Sequence, residues 1–322
     1  MAAPGAVQAT LKEGPGRASR SLTALAFRRF MRHRLAMIGT GILLVVMVAS
    51  LLAPWIAPHD PDAQGVTFAT WRESILQPPS ATHPFGTDEL GRDSFSRIIY
   101  GARVSLSIGF AVALLSTLIG VILGLIAGFI GGFVDAVIVS LINFVISVPS
   151  LPFILVLQGL LLDPRVALGG VMERTFGTYA SALMVVFVLV LFGWPNTSRL
   201  VRGQVLSLRE QEFVAAAQGL GASNARILGR HLLPNSLAPV IVDATVTVGG
   251  AVLVEAALSF LGFGVQNVPT WGRMLSTADS FLLRENGFWL AFFPGMAILV
   301  TVLSIQFVGD GLRDAFDPRS AK

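Results

Sequence analysis

Three polar residues, Asn143, Asp243 and Glu255, sit inside stretches that are otherwise continuously apolar. At membrane depth such groups must face protein or water rather than hydrocarbon, so the chemistry open to them is to line a passage for a polar solute. The alternative is structural: Asp243 lies within two turns of the end of its run, and Glu255 can serve as a bond between helices. The residues alone leave these readings level. A second polar set lies outside the apolar runs, in His83-Pro-Phe-Gly-Thr-Asp-Glu-Leu-Gly-Arg-Asp-Ser-Phe-Ser-Arg97, where turn residues and the charges of Asp88, Arg92 and Asp93 describe an ordered loop. His83 with Asp88 and Asp93 has the residue types of a metal centre, but one imidazole without further ligands fits a loop hydrogen-bond network better. The four histidines, His33, His59, His83 and His231, are too scattered along the chain to look like a metal cluster, and no metal ligand is assigned.

Catalysis finds no footing. There is no Gly-x-x-x-x-Gly-Lys-Ser/Thr phosphate loop, and the two lysines, Lys12 and Lys322, lie in the tails. Neither a His-Glu-x-x-His zinc motif nor a Gly-x-Ser-x-Gly nucleophile elbow occurs, and no histidine in an apolar run is available as a base. With no cysteine there is no thiolate chemistry and no disulfide. The chain is therefore expected not to be an enzyme and to hold no cofactor of its own.

A third polar stretch, residues 212–235, lies between two long apolar segments. Ser207-Leu-Arg-Glu210 has the capping-box pattern, which predicts a helix beginning near Leu208. Phe213, Ala216 or Ala217, and Leu220 recur at helical spacing, Gly221 is placed to end that helix, and Ser223 can cap a second one that Pro234 stops. The three alanines Ala215, Ala216 and Ala217 leave a surface almost free of side-chain bulk, which a partner can approach closely.

The elements that carry these residues belong to a membrane protein. Of the 322 residues 53% are hydrophobic and only 13% charged, too apolar for an ordinary soluble domain. Apolar runs at 35–57, 104–130, 133–162, 179–195, 237–263 and 287–309 predict an all-α protein with six transmembrane helices, since about 20 residues span a bilayer. Residues 1–34 form a tail ending in Arg28, Arg29, Arg32, His33 and Arg34, and the 23-residue run that follows is too long for the apolar core of a signal peptide, so an uncleaved first span is preferred. Residues 58–103 then form an outer loop, 104–309 a five-helix core containing the loop 196–236, and 310–322 a second tail. This arrangement places fifteen Lys and Arg on the side of the two termini and eight on the other, which makes both termini cytoplasmic. The net charge of +4 is thereby assigned to topology rather than to nucleic-acid binding. Within the outer loop, the stripe Phe95, Ile98 and Ile99 suits a helix lying on the membrane surface before the chain turns inward. Gly120, Gly124 and Gly128 share a helix face suited to close packing, and Pro149 with Pro152 predicts a kink in the third run.

The 212–235 stretch resembles the signature of permease subunits of ATP-binding-cassette importers: Ala215-Ala216-Ala217, then Gly221, then Leu233-Pro234, with Ala215 where the family usually has glutamate. Further stretches resemble the dipeptide and oligopeptide branch: His83-Pro-Phe-Gly-Thr-Asp-Glu-Leu-Gly-Arg-Asp93, Ala257-Leu-Ser-Phe-Leu-Gly-Phe-Gly264 with Trp271-Gly272, and Gly309-Asp-Gly-Leu-Arg-Asp-Ala-Phe-Asp-Pro-Arg319. The resemblance is to the C-type permease and covers most of 28–319. It implies a type I importer bundle in the cell membrane with cytoplasmic coupling helices, a heterodimer with a second permease, two cytoplasmic ATPase subunits that bind ATP and Mg, and an extracytoplasmic solute-binding protein. The loop residues expected to couple to the ATPase are Glu212, Phe213, Ala215, Ala216, Ala217, Gly221, Leu233 and Pro234, and the loop 58–103, the largest outer loop and turn-rich and charged, is expected to contact the binding protein through Asp88, Arg92 and Asp93. The solute is expected to be a di- or oligopeptide. A nickel chelate, glutathione or a sugar through the same permease type, a proton-coupled secondary transporter, and a membrane anchor are the alternatives.

Overall fold

The structure, a computed structural model, describes residues 22–64, 68–163, 165–281 and 287–317. The expected tail residues 1–21 and the last residues, 318–322, lie outside it. The described chain is helical, without a strand: α1 (Leu22–Phe30), α2 (Arg34–Leu51), α3 (Ala53–Ile56), α4 (Phe68–Ser74), α5 (Ser94–Ile130), α6 (Gly132–Ser147), α7 (Ser150–Leu162), α8 (Ala167–Phe176), α9 (Ala180–Arg209), α10 (Glu212–Gly219), α11 (Asn224–Ile227), α12 (Leu233–Phe260), α13 (Trp271–Asp279) and α14 (Phe288–Phe316). Five stretches are long and apolar enough to cross a bilayer, and α6 with α7 makes a sixth if that pair, bent by 86°, is one crossing. The bend falls where the sequence predicts it, with Pro149 as the N-cap of α7.

Long helices here follow from local chemistry. Asp93 starts α5 by accepting the backbone N–H of Ser96 (2.8 Å), and the helix ends at Gly131, whose φ of 71° few other residues adopt. Between these ends the glycines set how α5 packs. A Cβ on Gly120 would lie 2.6 Å from Thr197 Cβ, one on Gly124 2.6 Å from the Ser198 carbonyl, and one on Gly128 2.8 Å from Val205 Cβ. The seam thus joins α5 and α9 running in the same direction, at a separation only glycine permits. On the other side Gly39 of α2 meets Ser304, and Gly311 of α14 meets Ala36, so these two helices run antiparallel. Val112, Ile154, Val185, Val188, Ala251 and Leu258 form the main core between α5, α7, α9 and α12. Large apolar side chains such as Leu114, Phe133, Phe144 and Val156 point outward, as they do where the surrounding solvent is lipid.

Three expectations are corrected. Ser207 starts no helix: it lies in the last turn of α9, which runs unbroken to Arg209. Extending an existing helix adds a hydrogen bond per residue while a new start costs a nucleus, and buried Val205 together with the Arg209 bond to the Gly128 carbonyl (3.1 Å) holds that last turn in place. The separate surface helix around Phe95 is instead the opening of α5, whose Ser94, Ser96 and Arg97 are buried. Pro234 does not stop the second helix of the polar loop. A π-helical turn, Leu228–Leu232, leads from α11 directly into α12, and Pro234 follows that widened turn, where the helix accommodates a residue without an N–H.

Candidate functional site

The polar loop is a small helical bracket fixed to the bundle by apolar anchors. Val214, Ile227 and Leu232 are completely buried and pack with Val201, Val205 and Val240 from α9 and α12. Gly221, at φ 79°, turns the chain between α10 and α11, and Ser223 accepts the N–H of Arg226 to start α11. With Val214 facing in, Ala216 lies about 200° further round α10, on its outermost side. Glu212, Phe213, Ala215 and Ala216 are exposed and Ala217 partly so, while Leu233 is half-buried and Pro234 exposed. Leu220, a residue the motif does not single out, is the most prominent: it is 89% exposed just before the turn. Its signal was its place, six residues after the anchor Val214 and immediately before Gly221, where it cannot fold back onto the anchored face.

The three polar residues at depth part company. Asp243 accepts the Thr197 hydroxyl (2.6 Å) and borders two cavities, one of about 370 Å³ with Ser150, Asn196 and Thr247, the other of about 560 Å³ with Arg313 and Asp317. Glu255 is fully buried and borders neither; it accepts the hydroxyls of Ser259 (2.7 Å) and Ser105 (3.1 Å), joining α12 to α5. Asn143 is exposed on α6 and accepts from Arg199 (3.2 Å). A pair that motif reasoning passed over lies beside it: the Arg202 guanidinium grips both oxygens of Asp135, one at 2.7 Å, and so ties the start of α6 to α9. Its only signal was an acid and an arginine near the ends of apolar runs.

The 83–97 loop is the hydrogen-bond network its sequence describes. Asp88 accepts the backbone N–H groups of Leu90 and Arg92 (2.9 Å each) and the Arg92 Nε (2.7 Å), while Arg97 reaches Asp88 at 3.5 Å and Asp62 at 2.9 Å. Asp88 and Asp93 are buried and face inward. Burial, and after it the neighbouring Asp88 charge, pushes the Glu89 carboxyl above its usual range. The histidines are less scattered than their sequence positions imply, for the rings of His59 and His83 stack at 4.7 Å beside Asp93.

Residues 120–322 match the family described as the binding-protein-dependent transport system inner membrane component, and residues 21–79 match the N-terminal TM domain of oligopeptide transport permease C. The dipeptide transport system permease protein DppC of Bacillus subtilis is 39% identical over 304 residues, which cover 94% of this chain and 88% of that protein. The protein of the same name from Alkalihalophilus pseudofirmus is 38% identical over 296 residues, covering 91% of this chain and 89% of that protein. A membrane bundle with an anchored helical bracket, matched over more than nine-tenths of its length, belongs to the inner-membrane permease components of binding-protein-dependent, ATP-binding-cassette importers, in their C-type oligopeptide-permease branch.

Proposed function

We propose that this permease carries di- or oligopeptides into the cell as half of a heterodimeric pore, with two ATPase subunits beneath it and a solute-binding protein above. The carrying observation is the bracket α10–α11, whose exposed outer face sets Ala216 between Phe213 and Leu220 and is rooted in α9 and α12 by three completely buried side chains. A push on such a bracket cannot be absorbed locally and passes into two membrane helices, the requirement for switching between two packings of the bundle. ATP and Mg belong to the partners in this reading, and the bracket face is cytoplasmic, in line with the fifteen-to-eight charge asymmetry. Asp243, at the meeting of two cavities, lies on the solute's path. Since Asp88 and Asp93 are buried, the exposed rim of the 58–93 loop meets the binding protein, and those carboxylates act by holding it in shape.

The test uses the whole importer in proteoliposomes. Ala216→Phe keeps a helix-compatible residue but fills the space at the outermost point of α10, and is expected to insert normally, lose co-purifying ATPase and lose ATP-driven peptide uptake. Retained ATPase and uptake in that variant would remove the bracket as the coupling element.

A further inference from the structure

We propose that His59, His83 and Asp93 form a binding site for a divalent transition cation of the zinc type, which staples the outer loop to the start of α5. The Asp93 side chain is 1% exposed, yet two imidazoles turn ring nitrogens toward it: His83 Nδ1 lies 2.9 Å from Oδ1 and His59 Nδ1 3.9 Å from Oδ2. A hydrogen bond accounts for His83 alone. His59 is too far for one, and its ring is held face to face with His83 instead. One ligand atom from each of the three residues can be chosen so that all lie within 4.8 Å of one another. Zinc binds imidazole nitrogen and carboxylate oxygen at about 2.0–2.2 Å, so tetrahedral ligands stand about 3.3 Å apart, between the two separations found here. Since the three ligand atoms lie within 4.8 Å of one another, closing the widest gap by up to about 1.5 Å through ring and carboxylate rotation completes three ligands.

The surroundings suit that occupant. Asp93 Oδ2 also accepts the Ser96 N–H (2.8 Å) and hydroxyl (2.7 Å), and the His59 backbone N–H donates to the same hydroxyl (3.3 Å), an outer set of bonds that orients both ligands. The two imidazoles keep 40% and 20% of their side-chain surface, leaving a route for the ion and a fourth position for water. Two nitrogen donors select a zinc-like ion over Mg²⁺ or Ca²⁺, which take oxygen sets. The three ligands come from the segment after α3, the turn at 80–87 and the N-cap of α5, so one ion cross-links three pieces of chain.

The chain has no cysteine and two other histidines within its described residues, which makes the assignment clean to test. The full importer, its affinity tag removed and its metals stripped by a chelator, is titrated with Co²⁺ and followed by visible d–d absorption, with Zn²⁺ competition giving the affinity. Wild type is expected to take up one equivalent per chain. His59→Ala and His83→Ala are each expected to weaken Zn²⁺ by at least about tenfold, because loss of an outer-set partner alone costs that much. His231→Ala should titrate as wild type. Absence of a saturable equivalent in wild type, or unchanged affinity in both alanine variants, overturns the site. If neither variant folds, wild type decides: Zn²⁺ must raise its unfolding temperature relative to chelator, and no rise overturns the proposal.

Discussion

Asp243 and Glu255 look alike in the sequence, each an acid in an apolar run, and their neighbours give them opposite fates. Glu255 gathers hydroxyls from Ser105 and Ser259, residues 150 positions upstream and four downstream, and no sequence spacing announces the first of these. Removing it strands buried hydroxyls at about 1–3 kcal/mol each. Glu255→Leu is therefore expected to lower the unfolding temperature in detergent, and Glu255→Gln, which still accepts, to lower it less; equal losses would assign the effect to packing. Among the described residues Asp243 has one hydrogen-bond partner at its carboxylate, Thr197, and open space beside it. Asp243→Asn should unfold like wild type while uptake falls, and undiminished uptake would take the charge off the solute's path. Glu89 gives the pH test. Its folded carboxyl titrates above the ordinary 4.5, chiefly through burial, so the folded loop is destabilised once Glu89 ionises. That penalty is full above the raised value, shrinks as pH falls through it, and is gone below 4.5, where folded and unfolded chains both hold the proton. Glu89→Gln should accordingly raise the unfolding temperature at neutral pH, and the gain should vanish in acid; a gain independent of pH would point to a cause other than ionisation.

At the scale of elements, what proved legible was whatever depends on one helix. The four-residue spacing of Gly120, Gly124 and Gly128 marks a close-packing face, and Pro149 marks the break between α6 and α7. What the face packs against was not legible, since Thr197, Ser198 and Val205 carry no complementary pattern. Nor was the start of α10: the capping-box residues Ser207 and Glu210 compete with continuation of α9, and tertiary anchoring through Val205 decides that competition. The glycine seam can be broken from one side. A Cβ at Gly124 meets the Ser198 carbonyl, which is backbone and cannot swing away, at 2.6 Å. Gly124→Ala is expected to cost about 1–3 kcal/mol, as overpacking does, read as a lower unfolding temperature and lower membrane yield. Gly203, on the neighbouring helix with no atom of the described residues within 4 Å of a would-be Cβ, is the control that should tolerate alanine.

For the whole molecule, apolar length gives the crossing number to within one: five stretches can cross, and the bent pair α6–α7 decides the sixth. The face of the membrane on which each end lies follows from parity. If the bent pair α6–α7 is one crossing, the bundle has six, and an even number returns the chain to the face it left. The packing agrees: Arg29, before the first crossing, donates to the Asp317 carbonyl after the last (3.0 Å). The absence of cysteine turns this into a direct experiment, because each introduced thiol is unique. Arg32→Cys and Leu220→Cys stand for the face carrying the N-terminal segment and the bracket, and Ser80→Cys for the face of the outer loop; all three positions are exposed. In intact cells, a membrane-impermeant maleimide is expected to label Ser80→Cys and to reach the other two only after the membrane is opened. Labelling of Arg32→Cys and Leu220→Cys from opposite sides would make the number of crossings between them odd, and α6–α7 would then be a re-entrant hairpin rather than a span. Labelling of both from outside would keep the fold and reverse its orientation, leaving the bracket on the wrong face for any partner that hydrolyses ATP.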